Sequence, residues 1–126
     1  MHEKDRESWV GKNRLYLGED NTIRITIVGE LDEKTQLAIN EAGYKLMSTV
    51  EGKANALIDI NKAGKILPGA RKRQVEISEH EKTGKIALFG LHPVARVIAS
   101  FFMGITRKKD IGFFKTEEEA LAWLKE

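Results

Sequence analysis

Residues 85–125 read KIALFGLHPVARVIASFFMGITRKKDIGFFKTEEEALAWLK, and no other stretch limits the possible folds as much. Residues 85–89 and 111–114 are short, nearly continuous apolar runs, the pattern of strands covered by helices on both faces. Between them, Pro93 suits the first turn of a helix, and the apolar run that follows is longer than a strand needs. Strand, helix, strand and a second helix in succession belong to an α/β sheet with crossover connections. The connecting helix, 94–105, is far more apolar than a surface helix requires. Val94, Ala95, Val97, Ile98, Ala99, Phe101, Phe102, Met103 and Ile105 point all round its axis, interrupted by Arg96, Ser100 and Gly104. A helix covering one sheet face needs only an apolar stripe with a polar back. This helix is therefore expected to meet more than its own sheet: a partner, a second subunit or a greasy ligand.

The preceding residues extend the same sheet. Residues 14–17 and 22–28 flank the turn-forming Gly18-Glu19-Asp20-Asn21, and Ile23, Ile25 and Ile27 alternate with Thr22, Arg24 and Thr26. That period of two predicts an antiparallel hairpin with one buried face. Asp32 offers an N-cap to a helix over 33–50, with Ile39, Ala42, Leu46 and Val50 on its inner face. Gly43 would allow close approach to the sheet, and Gly52 closes the helix near its end. Residues 54–60 read as a strand buried on both faces, and residues 67–82 as a helix with a charged outer face. Thr116-Glu117-Glu118-Glu119 is a capping box opening a last helix, which buries Ala120, Leu121, Trp123 and Leu124.

The predicted order is β-β-α-β-α-β-α-β-α. It describes a mixed α/β sheet, an N-terminal antiparallel hairpin followed by mostly parallel strands, with helices packed on the sheet. A flavodoxin-like doubly wound sheet is the rival. It needs a crossover helix between the first two strands, where residues 18–21 hold none. Residues 1–13 are charged and lack an apolar run, so a flexible leader is expected before a single domain over 14–126.

With 126 residues the chain is long enough for one continuous core and too short for two domains of ordinary size. Its 21 basic and 19 acidic residues leave a formal charge of +2, too balanced for nucleic-acid binding by bulk electrostatics. The sequence has no cysteine, which excludes disulfides, thiolate metal sites and a cysteine nucleophile. That is compatible with a reducing cytoplasm, the expected location. The 94–105 helix is roughly 18 Å long at about 1.5 Å per residue, short of a bilayer core, so membrane contact is expected to be peripheral at most. No hydrolase elbow, paired-carboxylate motif, dinucleotide fingerprint or kinase signature is present, so neither an enzymatic reaction nor a cofactor is expected.

The element order, with Asp59 near the end of the third strand in Leu57-Ile58-Asp59-Ile60, resembles the STAS fold of sulfate transporters and anti-sigma-factor antagonists. The tail KIALFGLHPVARVIASFFMGIT, the basic turn Arg107-Lys108-Lys109 and IGFFKTEEEALAWL resemble the stand-alone SpoIIAA-like proteins grouped with STAS and SEC14-type domains. The resemblance implies a regulatory domain that binds proteins. In the anti-sigma-factor antagonists it also implies a phosphorylated serine at the start of the helix after the third strand, where added charge remakes the partner surface. Residues 50–77 contain neither Ser nor Thr. Ser78 lies well inside the predicted helix and not at its start, so no such switch is expected there.

Two clusters are candidate sites. Phe101, Phe102, Met103 and Ile105, joined by Arg107, would form an amphipathic surface for a partner or ligand. The plainer role of the basic turn is to complement the helix C-terminus. Asp59, Lys62, Lys65 and His92 lie at strand-to-helix turns, where backbone N–H groups favour an anion, an acidic partner or a ligand, and Arg71, Lys72 and Arg73 add positive charge beside them. Their plainer roles are a solvated basic face, a cap for His92 and bonds to loop N–H groups for Asp59. Glu76 and His80 form an ordinary i,i+4 pair and His2 sits in the leader, so no metal centre is expected. The expected function is a non-enzymatic STAS-like interaction domain that binds a protein partner or itself, as a homodimer, through its apolar helix. The alternative is a carrier of a small apolar or lipid-like ligand. Phe102→Asp is the variant that this reading singles out.

Overall fold

The computed structural model describes residues 3–126; Met1 and His2, the start of the expected leader, lie outside the described residues. A six-stranded sheet in the order β1-β2-β3-β4-β5-β6 organises the chain. Its strands are β1 (Glu7–Val10), β2 (Asn13–Leu17), β3 (Ile23–Leu31), β4 (Ala54–Ile66), β5 (Thr83–Phe89) and β6 (Ile111–Phe114). The helices are α1 (Glu33–Ser48), α2 (Pro68–Ser78), α3 (Pro93–Ile105) and α4 (Glu117–Leu124). β1, β2 and β3 pair antiparallel, and β3 to β6 pair parallel. This is the mixed sheet that the periodicity predicts, with one strand more.

That extra strand corrects the reading of residues 1–13 as a flexible leader. Glu7–Val10 pairs with β2, and Val10 opposes Asn13 across a two-residue turn whose Gly11 has φ +61°. A glycine with positive φ at the first turn position is the signature of a tight hairpin. Asn13 then fastens the turn. Its side chain donates to the Val10 carbonyl at 3.0 Å and accepts from the Val28 N–H at 2.8 Å.

The crossovers β3-α1-β4, β4-α2-β5 and β5-α3-β6 each advance one strand in the same direction. Crossovers of one hand then put their helices on one face. Period-two alternation separates the two faces. Ile86 and Leu88 join Ala95, Ala99 and Phe102 under α3, while Ala87 and Phe89 join Ala120 and Leu124 under α4. α1 packs over β2 and β3 with Leu15, Leu17, Ile23 and Ile27. Its buried face is wider than predicted and includes Gln36 and Asn40 beside Ile39, Gly43, Leu46 and Met47. A Cβ on Gly43 would lie 3.2 Å from the Ile77 side chain, so the close approach it permits is mainly to α2.

β4 is longer than the predicted 54–60. Its pairing with β5 ends at Asp59, opposite Phe89, whereas its pairing with β3 continues through Ile66, opposite Leu31. Residues 61–66 are thus a strand extension, which corrects their reading as a strand-to-helix loop. A Cβ on Gly64 would lie 3.1 Å from the Gly29 backbone, and Gly29 itself has φ +78°. The irregular β3–β4 ribbon needs both glycines: one for space, one for conformation. The ribbon projects past β5, and the start of α3 lies beside it.

Candidate functional site

Between the projecting ribbon, α2 and α3 lies a groove of about 600 Å³. Residues 61–66 of β4 form one wall, Arg71 and Gln74 of α2 a second, and Val94, Val97, Ile98, Phe101 and Phe102 of α3 a third, with His92 at one end. The two clusters expected from the sequence therefore meet in part. Lys62, Lys65 and His92 line the groove together with Phe101 and Phe102. Asp59, Met103, Ile105 and Arg107 are outside its lining.

Helical geometry explains the division. Successive residues turn by about 100°, so Phe101, Phe102 and Met103 cannot share a face. Val94, Val97, Phe101 and Ile105 follow one another at steps of three and four and form an exposed apolar stripe. Ala95, Ala99 and Phe102 form the buried stripe beside it. The apolar arc is broad but does not close round the helix, for Arg96, Ser100 and Gly104 stay together on the far side. Phe102 is only 8% exposed and belongs to the core cluster with Ile60, Ile86 and Leu88. This corrects its assignment as a surface contact. Phe101, 51% exposed, presents its ring to the groove.

The Arg71 guanidinium lies over the Phe101 ring at 4.0 Å from the centroid. Among the described residues its side chain has no hydrogen bond or ion pair, and neither do Lys62 and Lys65. Two positions along α2, Arg73 is fully occupied. It pairs with Glu33 at 2.8 Å and Glu76 at 2.9 Å, and these carboxylates hold its pKa above the ordinary value. No Asp or Glu lines the groove among the described residues. The groove thus carries an apolar wall, three cations without counter-charges and no acid.

The remaining expected residues make local bonds. Asp59 Oδ1 accepts from the Asn61 N–H at 3.0 Å and from its side-chain amide at 2.9 Å. Asn61 in turn accepts from the Leu91 N–H at 2.8 Å, tying the ribbon to the start of α3. His92 occupies the N-cap position of α3 and accepts from the Val94 N–H at 3.2 Å through Nδ1. Arg107 donates its backbone N–H to Glu79 at 2.8 Å, and Lys108 reaches back to the Thr83 carbonyl at 3.0 Å. Burial lowers the Lys108 pKa, with the nearby Lys53 adding to the effect. The Arg107 N–H and the Lys108 side chain thus fasten the basic turn to the end of α2 and to β5, while the Arg107 and Lys109 side chains stay exposed. Glu76 pairs with Arg73 while His80 packs on Tyr44 at 5.0 Å, and no cluster of three or more metal-type ligands exists among the described residues.

Beneath the groove is a second space, an apolar cavity of about 90 Å³ between the sheet and α1, α2 and α3. Ala63, Ile66, Gln74, Ile98 and Phe102 line both, so a single layer of side chains separates them. A void of this size costs on the order of 2 kcal/mol at about 24 cal/mol per Å³. The polar edge of the cavity is an amide chain absent from the sequence reading. Gln74 donates to Gln36 at 3.2 Å, Gln36 to Asn40 at 2.9 Å, and Asn40 to the Arg73 carbonyl at 2.8 Å. The signal for it was the i,i+4 spacing of Gln36 and Asn40 around Ile39. Arg71 was already legible as one of the basic residues beside this loop, but its place on Phe101 was not, because that ring is thirty positions away in sequence.

The start of α2 is where the resemblance would place a phosphorylated serine. Leu67 holds the N-cap position without a side-chain hydrogen bond, and Pro68 follows. Ser78 is the last residue of α2; it is fully buried and bonded to the Val75 carbonyl at 2.8 Å and to Thr106 at 2.9 Å.

One singly wound mixed sheet, helices α1–α3 on one face, α4 on the other and a groove beside the projecting β3–β4 ribbon define a STAS-like domain. A SpoIIAA-like family model matches residues 22–125. The chain belongs to the SpoIIAA-like family. A protein of the DUF3478 family with a SpoIIAA-like fold, from Shewanella loihica PV-4, superposes with a TM-score of 0.66 at 16% identity, covering 89% of this chain and 91% of its own. The anti-sigma factor antagonist SpoIIAA in its unphosphorylated form gives a TM-score of 0.56 at 18% identity, covering 90% of this chain and 97% of its own. At such identities the likeness is one of fold. No curated protein matches the chain. None of the helices among the described residues is long and apolar enough to cross a membrane.

Proposed function

We propose that this protein is a non-enzymatic regulatory interaction domain whose α2–α3 groove docks an acidic, apolar segment of a protein partner. One observation carries the reading: among the described residues, Arg71 lies on Phe101 with its guanidinium donors unpaired, facing a groove that has two further cations and no carboxylate. An amphipathic helix with leucines at i, i+3 and i+7 and glutamates on its flanks complements that surface in shape and charge. The fold supports a regulatory role, since SpoIIAA-like proteins share it with an anti-sigma factor antagonist.

The test is fluorescence anisotropy with a labelled model helix of that pattern and its lysine-flanked counterpart. The acidic helix is expected to bind, with the lysine version at least about tenfold weaker, and the order should reverse in an Arg71→Glu, Lys65→Glu double variant. Equal binding of both helices would refute the docking reading. If the occupant is a second copy, wild type sediments as a dimer and Phe101→Asp as a monomer.

A second reading, carriage of a small apolar ligand, is favoured by the apolar cavity one side-chain layer below the groove.

A further inference from the structure

Resting on that second reading, we infer that groove and cavity together form the binding site of a single-chain anionic amphiphile, a medium-chain carboxylate. The cavity supplies the first half of the argument. Protein interiors hold few voids larger than a water molecule, and an apolar one stays dry. At about 90 Å³ this space, lined almost wholly by apolar side chains, suits the end of an apolar chain. It lies directly behind Ile98 and Phe102, and Ile98 is only partly buried. These two side chains line both spaces, so a chain that passes from the groove into the cavity must displace them.

The groove supplies the second half. Beyond the separating layer, Val97 and Phe101 offer an apolar wall for the middle of a chain. At the far side Arg71, its guanidinium over the Phe101 ring, has no hydrogen bond or ion pair among the described residues. A carboxylate fits that fork in bidentate fashion, with Lys62 and Lys65 adding charge from the opposite wall. Chain and head thus have separate places, in the order that one amphiphile presents them. A neutral lipid leaves the cations unmet, and a small inorganic anion leaves the cavity empty.

The decisive measurement is calorimetric titration of the full chain with decanoate, kept below its micellar concentration, in parallel with decanol and acetate. Saturable one-to-one binding of decanoate is expected, with decanol weaker by about tenfold or more and acetate unbound. Each methylene removed from decanoate should weaken binding about threefold to fourfold. Arg71→Gln should lose about tenfold through the head alone. Ala63→Val, which fills the cavity from the separating layer, should lower affinity for decanoate and leave the response to anions without a chain unchanged. Phosphatidylglycerol–phosphatidylcholine vesicles form the last arm: sedimentation with vesicles but no binding of free decanoate would overturn the inference. So would decanol binding as tightly as decanoate, or decanoate binding indifferent to both variants. The titration contains no protein partner, so its failure removes the amphiphile while the docking reading stands or falls on its charge-reversed helices.

Discussion

Phe101 and Phe102 are neighbours of identical chemistry, and the structure assigns them opposite consequences. Phe102 is 8% exposed against 51% for Phe101. Truncating a buried phenylalanine costs about 3–5 kcal/mol, the sum of lost transfer energy and the cavity left behind. Phe102 also borders the groove, so water can enter part of the vacated volume; the expected cost of Phe102→Ala is about 3 kcal/mol. Phe101→Ala gives up a half-exposed ring and its contact with Arg71, worth about 1 kcal/mol together. For a domain of this length 1 kcal/mol moves Tm by roughly 4 °C. Phe102→Ala should therefore melt roughly 12 °C lower than wild type, and Phe101→Ala roughly 4 °C lower. Urea unfolding followed by far-UV circular dichroism gives the same comparison, provided the slope m is unchanged. Equal losses, or a larger loss at Phe101, would refute the assignment of the two rings. The comparison also replaces Phe102→Asp as a probe of partner binding. A charge at that position attacks the core before it reaches any partner, whereas Phe101→Asp leaves the core alone.

Other positions give sharp expectations. Gly104 lies in α3 with nothing within 4 Å of a built Cβ, so Gly104→Ala should raise the urea midpoint by the equivalent of about 0.5–1 kcal/mol. At Gly90 a Cβ would meet that of Ala95 at 2.8 Å, and Gly90→Ala should lower Tm by forcing the start of α3 off the sheet. Thr116 accepts from the Glu119 N–H at 3.2 Å, and Thr116→Ala should cost about 1 kcal/mol in thermal unfolding as the cap of α4 is lost. The Asp32 side chain accepts from Thr35, whose hydrogen bonds hold its pKa below the ordinary 3.8. A folded pKa below the unfolded one gives stability that is present above the unfolded value and lost as pH falls through the folded value. Acid titration of stability should therefore show a decline below about pH 4 that is shallower in Asp32→Asn, which keeps the cap acceptor but cannot titrate.

Much of the sheet was legible because burial writes a period into the sequence. Ile23, Ile25 and Ile27 marked a half-buried strand, and residues 54–60 and 85–89 marked strands covered on both faces. Two features were not legible that way. The extension of β4 over residues 61–66 mixes lysine, glycine and asparagine, because only β3 pairs with it and one wall of the groove is open to water. β1 is only four residues long, too short to show a period, and its clue was the turn glycine, Gly11. At the site, Lys62, Lys65, His92 and Phe101 were found by type and proximity to turns. Their convergence was not, since it depends on where α3 lies relative to the ribbon. Phe102 was misplaced for a related reason. Composition shows that α3 is apolar over a broad arc, but only the register of α3 on β5 and β6 decides which part of that arc is covered.

The cations of the groove and the cavity beneath it both weaken the fold that contains them. The void costs on the order of 2 kcal/mol, a large share of the 5–15 kcal/mol that domains usually have. Lys62, Lys65 and Arg71 repel one another across the groove, with no counter-charge in its lining among the described residues. A sequence under no constraint but stability would fill the first and neutralise the second, and each change is a short step. Ala63→Val adds two methyl groups at a strand position beside the cavity, worth about 1 kcal/mol if they fit. Lys65→Gln removes one of the repelling charges at an exposed position. Both variants should melt above wild type, and the double variant highest. Both should also lose affinity for an anionic, apolar occupant, so stability and binding are expected to move in opposite directions. Wild type in saturating occupant should recover the difference, because whatever binds only the folded state stabilises it by mass action. If Ala63→Val instead melts lower, the space beside Ile98 and Phe102 is already full, and no chain can enter it.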